Sequence, residues 1–241
     1  MHKLMLAWQN PKTRKWIPAG VLCASDDSFI FRYTKDVKQV ESFVPFGQMN
    51  DLDMTYKSET LFPLFSNRLL SKTRPEYDDY LEWLGLDKEH TSPILELSKS
   101  GGIRATDSLQ LFPIPEKKNG FYEVEFFSHG IRHLPASYIE RVKHLRAGEQ
   151  LFLMKDVQNK YDPLALAIRT DDAPEIVGYC PSFFVEDFSK LISLTADPKT
   201  ISVSVAKVNI EAPIQYRLLC KLKVVWPENF APFGGAYECK K

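Results

Sequence analysis

The side chains with chemical capacity gather in two short stretches. In "KDVQNKYDPLALAIRT", residues 155–170, Lys155, Asp156, Asn159, Lys160, Tyr161 and Asp162 crowd one loop that runs at once into the apolar residues 164–168. A plain hairpin turn needs Gly or Asn-Gly to supply positive φ and gains nothing from a tyrosine at its tip. The composition therefore predicts a loop that displays side chains. In "SHGIRH", His129 and His133 stand four residues apart, a spacing that can chelate a metal on a helix. That segment follows a strand pattern and contains Gly130, so the rings are expected on different faces, as surface or loop histidines, and no metal site is assigned. The acidic pairs Asp78-Asp79 and Asp171-Asp172 read as a solvated helix face and a turn. The phosphate-binding loops, nucleophile elbow, zinc-protease helix and kinase catalytic loop that carry common chemistries are missing. No catalytic residue or cofactor is assigned, and the chain is expected not to be an enzyme.

Composition sets the frame in which these stretches must be held. At 241 residues with 44% hydrophobic and 12% aromatic side chains, the chain has material for one large or two small cores. Lys plus Arg and Asp plus Glu are both 31, so no overall basic field advertises a polyanion partner. Cys23, Cys180, Cys220 and Cys239 are scattered and form no C-x-x-C pair, which predicts reduced thiols. The opening residues are too short an apolar run for a signal peptide, and no run approaches the ~18 apolar residues of a membrane span. A cytoplasmic location is expected.

The elements follow from local grammar. "KLMLAWQ", "KWIPAGVLCAS" and "SFIFRYT" read as strands, the last two joined through Asp26-Asp27 as a hairpin. In "SKTRPEYDDYLEWLGL", Thr73 three residues before Glu76 predicts a capping box, Pro75 a first turn, and Gly85 a stop, with Tyr77, Tyr80, Leu81 and Leu84 on one face. "TSPILELSKSGG" repeats this with Ser92 as N-cap, Pro93 at the first position and Gly101-Gly102 as terminator. "FPIPEKKNG" lacks periodicity and marks a boundary. Beyond it come a strand from Phe121, a short helix near residues 138–145, strands in "EQLFLMKD", "PLALAIRT" and "PEIVGYCP", a helix in "SFFVEDFSKLISL" and two closing strands. An α+β protein is expected: a small mixed N-terminal sheet with helices in residues 1–112, a linker at 113–119, a six-stranded antiparallel β-barrel with two helices at 120–226, and a tail at 227–241 that wraps the surface or is loose.

The second half resembles a HIRAN domain. The resemblance runs through Gly130 and Arg132, the "GEQLFL" strand at 148–153, the "NKYDPLA" loop at 159–165, and Gly178-Tyr179. It implies a module that binds single-stranded DNA at its 3′ end, between the arginine segment and the "N-x-Y-D" loop. On that reading Arg132 and Lys155 hold phosphates, Tyr161 or His133 offers a stacking face, and Asp162 accepts from a terminal hydroxyl while repelling a 3′ phosphate, with Asn159 and Tyr179 completing the site. His133 and Leu134 stand where eukaryotic members carry two aromatics, Tyr179 replaces a histidine, and Ser182 stands near a lysine position, so weaker stacking and phosphate grip are expected. The alternative has Asn159 and Asp162 merely capping the turn, with Tyr161 packed on the barrel.

The first half is similar to the N-terminal subdomain of HipA-type toxin kinases, through "LFPLFSNRLLSKTRPEYDDYLEWLGL" and "PILELSKSGGIRATDSLQLFP". That similarity implies a bacterial toxin-antitoxin or defence operon and a module that contacts a HipA-like kinase. Its aromatic density predicts a partly exposed partner surface at Phe62, Phe65, Tyr77 and Tyr80. A protein-interaction adaptor whose barrel no longer binds DNA is the competing reading.

Overall fold

The computed structural model describes residues 2–25, 27–197 and 200–235. The described residues fall into two compact units, 2–114 with Gly235 and 115–234.

In the first unit, β1 (His2–Gln9), β2 (Trp16–Ala24), β3 (Phe29–Tyr33), β4 (Thr55–Ser58) and β5 (Leu109–Pro113) form a sheet in the order β4-β3-β2-β1-β5. Every pairing is antiparallel, the β2–β3 hairpin included, so the sheet is not mixed. Asp26, assigned to that hairpin's turn, lies outside the described residues. Leu4, Met5 and Leu6 are all buried, so both faces of β1, an interior strand, are covered and simple alternation fails there. The helices are α1 (Lys35–Lys38), α2 (Pro63–Ser66), α3 (Tyr77–Leu84) and α4 (Pro93–Ser100). In α4, the Ser92 side chain accepts from the Leu95 amide and Gly101 closes the helix at φ 73°, as its sequence predicts. The capping box at α3 does not form. The helix begins at Tyr77 behind Glu76, which makes no side-chain cap, while the Thr73 hydroxyl bonds Ser71 and Arg74 pairs with Glu76.

The aromatic residues expected on the surface of this unit are mostly its core. Phe65 is fully buried and packs on Phe31 with ring centroids 5.5 Å apart. Tyr77 and Tyr80 are also buried, and the Tyr77 hydroxyl donates to Glu96 at 2.7 Å. Of the four rings assigned to a partner surface, Phe62 alone stays partly exposed, which overturns that surface: a thin five-stranded sheet with short helices needs large rings to fill the space between them.

Pro113 ends β5 and the Ile114 amide donates to Lys3, while Lys118 bridges Phe121 around an Asn119-Gly120 turn with φ 51° and 85°. The exposed connection thus shortens to residues around Glu116 and Lys117.

The second unit contains β6 (Phe121–Phe127), α5 (Ala136–Lys143), β7 (Gln150–Lys155), β8 (Leu166–Arg169), β9 (Ile176–Tyr179), α6 (Ser182–Leu194), β10 (Ser202–Val208) and β11 (Leu218–Val225). The strands form an antiparallel sheet in the order β6-β11-β10-β7-β8-β9 that curls into a half-barrel with two helices. Just past β6, His129 and Tyr179 exchange both backbone hydrogen bonds at 2.9 Å, so the two edges of the curl meet at one bridge. Helix α6 spans the stretch its periodicity marks. Phe184, Phe188 and Leu191 point inward, and the first two rings stack at 5.4 Å. Each such burial contributes about 1.5–3 kcal/mol. Residues after 226 join this core: Phe230 and Pro232 are buried, and the Asp187 carboxylate accepts the Phe233 amide at 2.9 and 3.0 Å. Residues 236–241 of the expected tail lie outside the described residues. Cys23, Cys180 and Cys220 are buried free thiols; Cys239 lies outside the described residues. No described helix is long and apolar enough to cross a membrane.

Candidate nucleic-acid interface

The loop between β7 and β8 is built by its own polar side chains. The Asp156 amide donates to the Ala165 carbonyl at 2.9 Å, closing the base. Inside, the Asn159 Oδ1 accepts the amides of Tyr161 and Asp162, both at 3.0 Å, and its Nδ2 donates to Asp156 at 3.3 Å. Asp162 Oδ1 then accepts the Leu164 amide at 2.9 Å. These are Asx-type bonds, which need a short side chain with an acceptor at its tip. The capping roles of Asn159 and Asp162 are therefore real. Tyr161, however, does not pack on the barrel: it is 97% exposed. The loop is braced by its own side chains and still holds a phenol in water, and Val157 on the same loop is 79% exposed.

The arginine segment reaches the same place through Tyr179. After β6 the chain turns at Gly130, φ 74°, into a single 3-10 turn, Ile131–His133, with Ile131 buried and Arg132 and His133 exposed. A Cβ on Gly130 would lie 3.1 Å from Tyr179 Cδ2, so this glycine lets the turn settle against the ring. On its far end, the Tyr179 hydroxyl donates to Asp156 Oδ2 at 3.0 Å. One tyrosine thus ties the Arg132 turn to the first residue of the loop, and Lys155 stands exposed one residue before it. The Tyr179 hydroxyl pKa is raised, first by burial and then by that bond to Asp156. Arg132 Nε donates to His133 Nε2 at 3.0 Å.

The sequence-predicted residues divide by what they touch. Arg132, His133, Lys155 and Tyr161 are exposed, and Asp162 keeps one carboxylate oxygen beyond its cap. Asn159 and Tyr179 spend their polar atoms inside the protein, as braces of the loop. Leu134 is partly buried, and Ser182 opens α6, exposed. His129 departs from the surface reading: it is partly buried, and burial pushes its imidazole down to about 4, so it is neutral above that pH. Among the described residues no cluster of three or more His, Cys, Asp or Glu can hold a metal. Sequence reasoning names Asp156 and Gly178 but gives neither a role: Asp156 is the common anchor, and Gly178 permits a close approach. A Cβ at Gly178 would lie 1.8 Å from Ser128 Oγ, where φ is 136°. Glycine spacing in "GYC" hints at that close approach; nothing local tells that Tyr179 meets Asp156.

The second unit is thus a curled half-barrel whose braced loop and neighbouring turn leave the Tyr161 ring, the Arg132 guanidinium and one oxygen of the Asp162 carboxylate outside the core. The HIRAN domain family model matches residues 121–226, which supports a HIRAN domain in this part of the chain. Two solved structures are similar to it. The crystal structure of a Lactobacillus plantarum protein is 17% identical, covering 43% of this chain and 96% of that one with a TM-score of 0.33. The crystal structure of the HIRAN domain of human HLTF is 14% identical, covering 44% and 77%, with a TM-score of 0.31. No curated protein matches the chain.

Proposed function

We propose that the HIRAN unit binds single-stranded DNA and reads its 3′ end without catalysing a reaction. Tyr161 stacks on a base, Arg132 and Lys155 hold backbone phosphates, and the free oxygen of Asp162 accepts from a terminal hydroxyl. The observation that carries this reading is the 97% exposure of Tyr161 on a loop whose amides are already capped. Such a ring contributes nothing to the fold, whereas stacking on a base is worth about 1–3 kcal/mol. With two cationic contacts the binding is modest and its salt dependence shallow, a log-log slope of roughly −1.4 at about −0.7 per phosphate. Fluorescence anisotropy with a labelled single strand and its duplex tests this on the full chain. Single strands bind more tightly and Tyr161→Ala weakens them by about fivefold or more; equal binding of both forms, or no effect of Tyr161→Ala, contradicts it.

In the same reading the first unit meets a protein partner inside the cell. Its sequence similarity nominates a HipA-like kinase in a toxin-antitoxin or defence operon; co-purification with the products of adjacent genes tests that nomination, and recovery of the protein alone refutes it.

A further inference from the structure

A cavity of about 390 Å³ opens on the first unit between the 46–49 turn, the start of α2 and the loop before β5. Its apolar lining comes from Phe46, Met49, Phe62 and Leu64. The cavity is preformed. Tyr33 holds the turn by accepting the Phe46 amide at 2.7 Å and donating to the Met49 carbonyl at 2.6 Å. Cavities of roughly 300–1,000 Å³ with apolar walls and a few placed polar groups are the usual form of binding sites.

Three charged residues line it: Arg68, Arg104 and Asp107. Arg68 is consumed by the fold, donating to Leu64 O at 3.0 Å, to Gly102 O at 2.8 Å, and to both oxygens of Asp107. That pair cancels. Arg104 is exposed and, among the described residues, makes no hydrogen bond or ion pair, so the cavity carries one uncompensated positive charge. Exposed apolar residues also stand near the lining residues in sequence. Among the described residues of this unit, Val44, Met54 and Ile103 are the large exposed hydrophobic side chains, at 77%, 54% and 55%. Ile103 adjoins Arg104, and Val44 lies two residues before Phe46. Large apolar side chains left in water are a common mark of protein contact surfaces.

The geometry points to a docking site for a partner-protein segment that inserts a bulky aromatic side chain into this cavity and pairs a neighbouring carboxylate with Arg104. The inference stands apart from the nucleic-acid reading. Its test uses the full chain and three labelled, end-capped hexapeptides that differ at the two central residues: Trp-Glu, Trp-Lys and Ala-Glu. Trp-Glu binds saturably and about two- to fivefold tighter than Trp-Lys, the scale of one exposed ion pair, and Ala-Glu does not bind. Arg104→Glu inverts the order of the two tryptophan peptides, which a merely structural arginine cannot do. Asn67→Trp, at an exposed lining position in ordinary helical geometry, fills the cavity and removes binding with no change in melting temperature. No saturable binding of Trp-Glu at millimolar peptide overturns the proposal, as does an order unaffected by Arg104→Glu. Concentration-dependent dimerisation that Asn67→Trp disperses also overturns it, because the occupant is then a second copy of the chain.

Discussion

Replacing Asn159 with alanine separates the presentation of the loop from the stability of the barrel. The Asn159 side chain makes three hydrogen bonds: its oxygen accepts the amides of Tyr161 and Asp162, and its nitrogen donates to Asp156. All three lie at an exposed or half-exposed loop, where water replaces a lost partner. A net bond is worth about 0.5–1.5 kcal/mol, and exposure places these at the lower end. The loop thus loses on the order of 1–2 kcal/mol of local order. The core rings Tyr122, Phe184 and Phe188 take no part in these bonds, so the melting temperature moves by only a few degrees. Binding of single strands must then supply the missing order, which weakens it by about five- to thirtyfold. If Asn159 acts only by holding Tyr161 in place, its effect shrinks once the ring is gone, so Asn159→Ala and Tyr161→Ala together cost less than their sum. Anisotropy titrations of the four proteins, with amide exchange at residues 156–165, check this. Wild-type affinity in Asn159→Ala, or full additivity with Tyr161→Ala, refutes the reasoning.

Further outcomes are expected elsewhere in the chain. Burial raises the Asp187 carboxyl to about 6 and lowers the His129 imidazole to about 4. The first contributes stability that is lost as pH rises from about 4 to 6, the second stability that is lost as pH falls from about 6.5 to 4, each at about 1.4 kcal/mol per unit. The two slopes offset, so Asp187→Asn exposes the histidine's: relative to wild type, its melting temperature falls on acidification from pH 6 to 4 in calorimetry. Gly178→Ala places a Cβ against Ser128 at a positive φ and costs on the order of 3 kcal/mol in urea unfolding, with loss of DNA binding. Trypsin cuts first at the exposed Lys117 or Lys118, and the two fragments keep their secondary structure by circular dichroism.

Much of the fold is legible because its signals are local. Ser92-Pro93 with Gly101 fixes α4 by caps that act within a turn, and the apolar spacing from Phe184 to Leu191 fixes α6. Thr73 carries the same grammar and fails, because its hydroxyl finds Ser71 and Glu76 finds Arg74 before either reaches a helix amide. Aromatic excess in the first unit reads as a contact surface in sequence; only packing reveals that Phe31, Phe43 and Phe65 fill one core, and that Tyr33 spends its hydroxyl on the turn beside a cavity. At the DNA-binding candidate, the display loop shows in its composition. The brace does not, since Tyr179 and Asp156 are 23 residues apart and meet through strand register. Family resemblance locates Arg132 and Asp162 without saying that Asn159 faces inward.

The most direct measurement of end recognition is the affinity ratio for matched single strands that end in a 3′ hydroxyl or a 3′ phosphate. On the proposed reading, the free oxygen of Asp162 accepts from the first and repels the second. Wild-type protein binds the hydroxyl end several-fold more tightly, about 1 kcal/mol for one charge-assisted hydrogen bond, and Asp162→Asn, which keeps an acceptor for the Leu164 amide, brings the ratio close to one. Arg132→Ala weakens both strands alike and preserves the ratio. Equal affinity of the wild-type protein for the two ends contradicts the account: the loop is then a capped turn whose tyrosine serves some other contact.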